Sequence, residues 1–281
     1  MPTALHLFDG RRATWSALAA LGALTGTPTA GALAHEVEAL GGAADRTRAR
    51  RAGIDLRDGK RAHPSTIRCA ISWDDRAEAL RRRRGLTGRR APEPIPVDRA
   101  RLVQRARARA ALCLSPGQRA VAILDSSQGG FTPSDAAVFA AVLGLAGLPA
   151  SVVIVDGTTP TDADRIALEK ICAGASVQAP TEPPWVTLPA CDLAVLARPV
   201  VESCAIARDL AAWSWAAGTP VVAPAGVDGA RADRRQRRYA AARAVVRALT
   251  GKEAAPLLER ADTTEPFEAW LDRFVESIST G

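Results

Sequence analysis

The stretch that most constrains the fold is residues 191–229, CDLAVLARPVVESCAIARDLAAWSWAAGTPVVAPAGVDG, which reads as strand, loop, helix, turn and strand. Leu193 to Leu196 is a short apolar run after Asp192, the pattern of a strand buried on both faces of a parallel sheet. Pro199 ends it. From Ile206 to Ala217 the chain is rich in Ala, Leu and Trp and contains neither Gly nor Pro, which favours helix. Gly218 supplies the stop, since only Gly reaches left-handed backbone without a Cβ clash, and Pro220 bars continuation. Val221 to Ala223 is the next strand. In such a unit the loop leaving a strand and entering a helix is where ligands bind, because main-chain N–H groups and the helix dipole point there. Here that loop is Pro199 to Ala205, which holds Glu202, Ser203, Cys204 and Ala205, and Ile206 opens the helix. Most such loops bind nothing, so the unit alone assigns no function.

The same alternation runs along the rest of the chain. Ala4 to Phe8 is a candidate first strand, and Asp9 with Gly10, Arg11 and Arg12 turns into a helix from about Ala13 to Leu24. Gly10 lets the backbone approach a ligand, and Arg11 and Arg12 are suited to pair with phosphate. Thr29 to Ala34 reads as a second strand and Glu36 to Leu40 as a helical turn, with a polar Arg-rich connection after it. Ile67 to Trp73 is a third strand, and Asp74 or Asp75 caps the helix Arg76 to Arg84. GLTGRRAPEPIPVD concentrates Gly and Pro, cannot be helical, and is the candidate hinge.

Beyond the hinge, Arg99 to Leu112 reads as a charged helix and Ala120 to Leu124 as a strand. The loop DSSQGGFTPSD carries Gln128, Gly129 and Gly130, and Pro133 stands at the first position of the helix it opens. Ser151 to Val155 and the neighbourhood of Val177 are strands, Asp162 to Ala173 and Asp233 to Leu249 helices. A last helix, Pro266 to Ile278, sets Phe267, Trp270, Leu271, Phe274 and Ile278 at helical spacing, a stripe that must pack against one of the domains. Strands alternating with helices twice over imply an α/β protein of two Rossmann-like, doubly wound parallel-sheet domains separated by the hinge. The expected boundaries are 1–92, 93–262 and a C-terminal helix at 263–281 packing back on the body.

Composition removes several classes. No run of 18 or more apolar residues is present, and MPTALHLFDGRR lacks the pattern of a signal peptide, so cytoplasmic residence is expected. Cys69, Cys113, Cys172, Cys191 and Cys204 are scattered without a CxxC, and read as buried small apolar residues. His6, His35 and His63 have no metal-ligand spacing, so no metal is expected unless folding gathers them. A net charge of +7 raises nucleic acid or an anionic surface as partners. The Arg runs interleave no aromatics, which argues against base-stacking modules and for solvated helix faces. Peripheral contact with an anionic membrane surface stays open. Neither a three-glycine dinucleotide fingerprint nor a P-loop lysine occurs.

Residues 92–230 resemble the donor-binding domain of GT-B glycosyltransferases, in particular the retaining group that uses nucleotide-diphosphate sugars. PIPVD at 94–98 is similar to that family's interdomain segment, and Arg109, Leu112 and Leu114 to its R-x-x-L-x-L helix end. AVAILDSSQGGFTPSDAAVFAAVLGLAG, SVVIVDG, CDLAVLARPVVES and AAGTPVVAPAGVDG resemble its successive strand, loop and helix segments. The resemblance implies that the two domains face a cleft, and a glycosyltransferase moving a sugar from a nucleotide-diphosphate donor to an unknown acceptor, whether glycan, lipid or small molecule. It implies no cofactor and no metal beyond that donor substrate. Donor contacts then fall to Glu202 for the sugar, main-chain N–H groups from Ser203 to Ile206 for the phosphates, and Asp209 for the ribose. Gln128, Gly129 and Gly130 line the first loop, and Arg11 or Arg12 supplies positive charge.

Two departures stand out. The family places Arg and Lys where this chain has Ser127 to Gly130, and its two glutamates eight positions apart have no counterpart here. These departures leave an alternative, a catalytically inactive GT-B-like binding or scaffold subunit.

Overall fold

The computed structural model describes residues 3–9, 13–26, 34–40, 43–54, 67–124, 133–155, 161–163, 166, 170, 175–196, 205–223, 234–251 and 265–280. The chain divides into two compact units, one of residues 1–98 with 262–281 and one of residues 99–261.

The first unit is built on a four-stranded sheet of order β2-β1-β3-β4, all pairs parallel, from β1 (Thr3–Phe8), β2 (Ala34–Ala39), β3 (Ile67–Ser72) and β4 (Gly88–Arg90). β1 is buried at every position, as a central strand covered on both faces must be. Helices α1 (Trp15–Gly26), α2 (Ala43–Arg51) and α3 (Asp75–Arg83) connect the strands. Asp74 caps α3, its carboxylate accepting the N–H groups of Arg76 and Ala77.

Two expectations fail in this unit. Residues 34–39, part of which reads as a helical turn, form β2, because A-H-E-V-E-A alternates with period two and pairs with β1 along its whole length. The Arg-rich connection contains α2, whose Arg48 is buried, donates to the Ala13 carbonyl at 2.8 Å and lies over the Trp15 ring. The Gly-Pro stretch is non-helical as read, but it also supplies β4. A Cβ on Gly88 would lie 1.8 Å from the Ala70 carbonyl oxygen, so the edge strand approaches only because that residue is glycine.

The second unit carries a five-stranded parallel sheet of order β7-β6-β5-β8-β9. Its strands are β5 (Arg119–Leu124), β6 (Ala150–Ile154), β7 (Ser176–Gln178), β8 (Leu193–Leu196) and β9 (Val221–Val222). Its helices include α4 (Arg105–Ala111), α5 (Pro133–Leu145), α6 (Pro184–Thr187), α7 (Ala205–Ala216) and α8 (Arg234–Thr250), and residues 162, 163, 166 and 170 are helical as well. Val121, Ile123, Phe139, Leu143, Val152 and Val195 belong to its core. The helix expected over 99–112 is broken. Residues 99–101 form one 3-10 turn and α4 starts only at Arg105. Between them the Val103 N–H is drawn to the Trp185 carbonyl at 3.0 Å, a long-range bond that takes the chain out of helix.

Helix α9 (Phe267–Thr280) belongs to the first unit. Phe267, Trp270, Phe274 and Ile278 are its buried face, and Phe274 meets Trp73 edge-on at 5.5 Å. Arg89 donates to the Ser277 carbonyl at the far end of the helix. Among the described residues no helix is long and apolar enough to cross a membrane.

Candidate functional site

Strand order locates two crevices. In the second unit the chain runs from β5 out to β6 and β7, then returns on the other side of β5 to form β8 and β9. The switch point lies between the carboxyl ends of β5 and β8, at Leu124 and Leu196, which is where open α/β sheets hold ligands. The connections leaving these ends are residues 125–132 and 197–204. They contain Gln128, Gly129, Gly130, Glu202, Ser203 and Cys204, all outside the described residues, as are Gly10, Arg11 and Arg12.

Three of the site residues read from the sequence are described. Ala205 is exposed at the start of α7, while the Ile206 side chain is buried, so Ile206 can offer a ligand its main-chain N–H and little else. The first turn of α7 contains no acidic residue. Asp209 stands half-exposed one turn further on.

In the first unit the switch point lies between β1 and β3, and here the residues are described. Asp9 follows β1 and Asp74 follows β3, and both are buried. The Asp9 N–H donates to Asp74 Oδ2 at 2.6 Å, and Arg76 Nη1 reaches Asp9 Oδ2 at 2.9 Å. Burial raises the Asp74 pKa, against the pull of the N–H groups of Asp9, Ala77 and Arg76. The Ala13 N–H donates to the Asp9 carbonyl at 2.8 Å. The sequence reading assigned Asp74 only a cap. The link to Asp9 becomes visible only when β1 and β3 are known to be neighbours.

Folding does gather two histidines. Trp73 Nε1–H donates to His6 Nδ1 at 3.1 Å, which makes Nδ1 an acceptor and leaves the proton on Nε2, facing His35 Nδ1 at 2.9 Å. Burial, with His35 beside it, pushes the His6 pKa down to about 3. His63 lies outside the described residues. No group of three His, Cys, Asp or Glu among the described residues is placed to hold a metal ion.

Burial of His6 makes stability depend on pH. Unfolded His6 titrates near its ordinary value of 6.5, so between 6.5 and about 3 the unfolded chain binds the extra proton. Stability is full above pH 6.5 and falls as pH drops through that window. From His6 alone the expected loss at pH 5 is about 2 kcal/mol. Urea unfolding at pH 8 and pH 5 measures it, and His6→Gln is expected to flatten the difference.

The described cysteines are inert or peripheral. Burial pushes the Cys191 thiol up to about 12, and Cys69 is also buried. Cys113 is exposed, contrary to the expectation of burial, because it sits in the turn after α4 between the buried Leu112 and Leu114.

No protein-family model matches the sequence, and no curated protein matches it. Solved structures do match in shape. The UDP-GlcNAc 2-epimerase from Neisseria meningitidis bound to UDP-GlcNAc superposes with a TM-score of 0.59 at 8% identity, covering 99% of this chain and 100% of that one. The S. aureus MnaA–UDP co-structure does so with a TM-score of 0.51 at 10% identity, covering 100% of this chain and 96% of that one. The fold is GT-B-like. Identities this low establish the architecture and leave the activity of a GT-B-like chain to be argued from its own residues.

Proposed function

We propose that this GT-B-like protein binds a nucleoside-diphosphate sugar in its second unit and transfers the sugar to an acceptor held by its first. The observation that carries the reading is the switch point between β5 and β8, with residues 197–204 leading from it into α7. The diphosphate sits at the start of α7, where main-chain N–H groups from Ser203 to Ile206 offset its charge as it departs. Glu202 accepts from sugar hydroxyls, Asp209 from the ribose, and Gln128 with Gly129 and Gly130 closes the opposite wall. In this proposal Arg11 or Arg12 is the source of the positive charge that Ser127 to Gly130 lack.

A second reading, epimerisation of a UDP-amino sugar, is favoured by the two structural neighbours, whose bound ligands are UDP and UDP-GlcNAc. One experiment separates the readings. The protein is screened by thermal shift against nucleoside diphosphates and their sugars, and the best ligand is then followed by NMR with mixed acceptors. A ligand at about a hundred times its Kd raises stability by about 2.7 kcal/mol, a shift of several degrees. Release of nucleoside diphosphate with a glycosylated acceptor supports transfer, whereas a recovered sugar nucleotide inverted at C2 supports epimerisation. A shift without turnover supports an inactive binding subunit, and no shift with any nucleotide removes all three.

A further inference from the structure

A pocket lies at the amino-terminal end of the five-stranded sheet of the second unit. Its volume is about 370 Å³, and Arg105, Arg109, Gln118, Arg119, Asp192 and Leu249 line it. Arg119 opens β5 and Asp192 immediately precedes β8, so the pocket sits at the amino ends of the two strands whose carboxyl ends form the switch point. It lies wholly within the second unit. We infer that it binds a phosphate monoester, independently of the sugar-nucleotide reading.

Residues 99–119 include Arg99, Arg101, Arg105, Arg107, Arg109 and Arg119 and contain neither Asp nor Glu. The break before Arg105 and the turn at 115–118 bring the last arginine back beside the helix. Two of the pocket guanidiniums are fixed in place by main-chain carbonyls. Arg105 Nη1 donates to Cys191 O at 2.8 Å and to Pro189 O at 3.1 Å. Arg109 donates to Gln118 O at 2.6 Å, Ser115 O at 3.1 Å and Ala190 O at 3.2 Å. Such anchoring holds both cations in position before a ligand arrives, which removes part of the ordering cost of binding.

The acceptors in the pocket are already committed. Asp192 Oδ1 takes Arg105 Nη2, and Oδ2 takes the Ala120 N–H at 2.8 Å with Arg109 3.9 Å away. Gln118 Oε1 accepts the Ser115 N–H at 3.0 Å, which leaves the amide NH₂ as a donor. Arg119 is exposed, and among the described residues nothing accepts from its guanidinium. Three guanidiniums against one carboxylate leave two positive charges and a surplus of donors. A dianionic phosphate matches both the charge and the fork geometry of arginine. The volume is at the lower end of small-ligand sites, enough for a phosphate with a short organic group resting on Leu249. That group belongs either to a free metabolite or to a lipid headgroup, and the phosphate chemistry is the same.

The test has two arms on the full chain. Glycerol phosphate is titrated by calorimetry, and co-sedimentation is measured with vesicles containing phosphatidic acid, a monoester, or phosphatidylglycerol, a diester. Arg119→Ala removes the open cation, and Leu249→Trp fills the pocket without changing charge. The expected result is saturable binding in at least one arm that weakens about tenfold or more in both variants. Binding of glycerol phosphate identifies a soluble ligand, and retention on phosphatidic acid but not phosphatidylglycerol identifies a headgroup. Absence of binding in both arms, or binding unchanged in both variants, overturns the inference.

Discussion

Trp270→Ala is expected to destabilise the first unit by about 3–5 kcal/mol, the range for truncating a fully buried aromatic side chain. Trp270 is 2% exposed, and its ring stacks on Phe274 at 5.1 Å and on Phe267 at 6.4 Å. Through Phe274 it is linked to Trp73 at the end of β3. Removing the indole opens a cavity at the seam between α9 and the sheet, and the stripe on one side of α9 leaves the helix no other source of stability. Scanning calorimetry provides the measurement. The transition that moves with pH through His6 is expected to fall by roughly 10 °C or more, and the other to stay in place. A loss below about 1 kcal/mol would mean that α9 is not part of the core of that unit.

The second large effect concerns activity. Glu202→Ala is expected to lower kcat/KM for sugar transfer by about ten- to a hundredfold, the worth of a hydrogen bond to a charged group at a reacting sugar. Affinity for the bare nucleoside diphosphate is expected to hold within about twofold, since the phosphates rest on main-chain N–H groups that the substitution leaves in place. Ser203→Ala then serves as a control, with little change in either quantity. Equal loss of diphosphate and sugar-nucleotide affinity on Glu202→Ala would assign the carboxylate to the architecture of the loop.

Legibility tracked the strength of the local signal. β8 was read at its observed bounds because an apolar run bracketed by Asp192 and Pro199 has one interpretation, and α7 was placed within one residue by Gly218, whose φ is +76°. β2 was misread because its polar alternation is decided by pairing with β1, information that lies about 30 residues away. The break before α4 depends on a bond to Trp185, which no window around Arg105 contains. The same limit applies to sites. The arginines of the phosphate pocket read as solvated faces because Asp192 and the carbonyls that organise them come from a distant segment. The buried pairing of Asp9 with Asp74 spans 65 positions. The loop residues proposed at the β5–β8 switch point rest on their chain position between strand and helix, and residues 125–132 and 197–204 lie outside the described residues.

The composition of the first unit from two separated segments has a consequence for biosynthesis. Residues 99–261 form a continuous unit that can fold as soon as it has left the ribosome, whereas residues 1–98 must wait for α9. At ordinary rates of translation that wait is on the order of ten seconds. Throughout it the nascent chain presents the apolar seat of Trp270 and Phe274 to solvent.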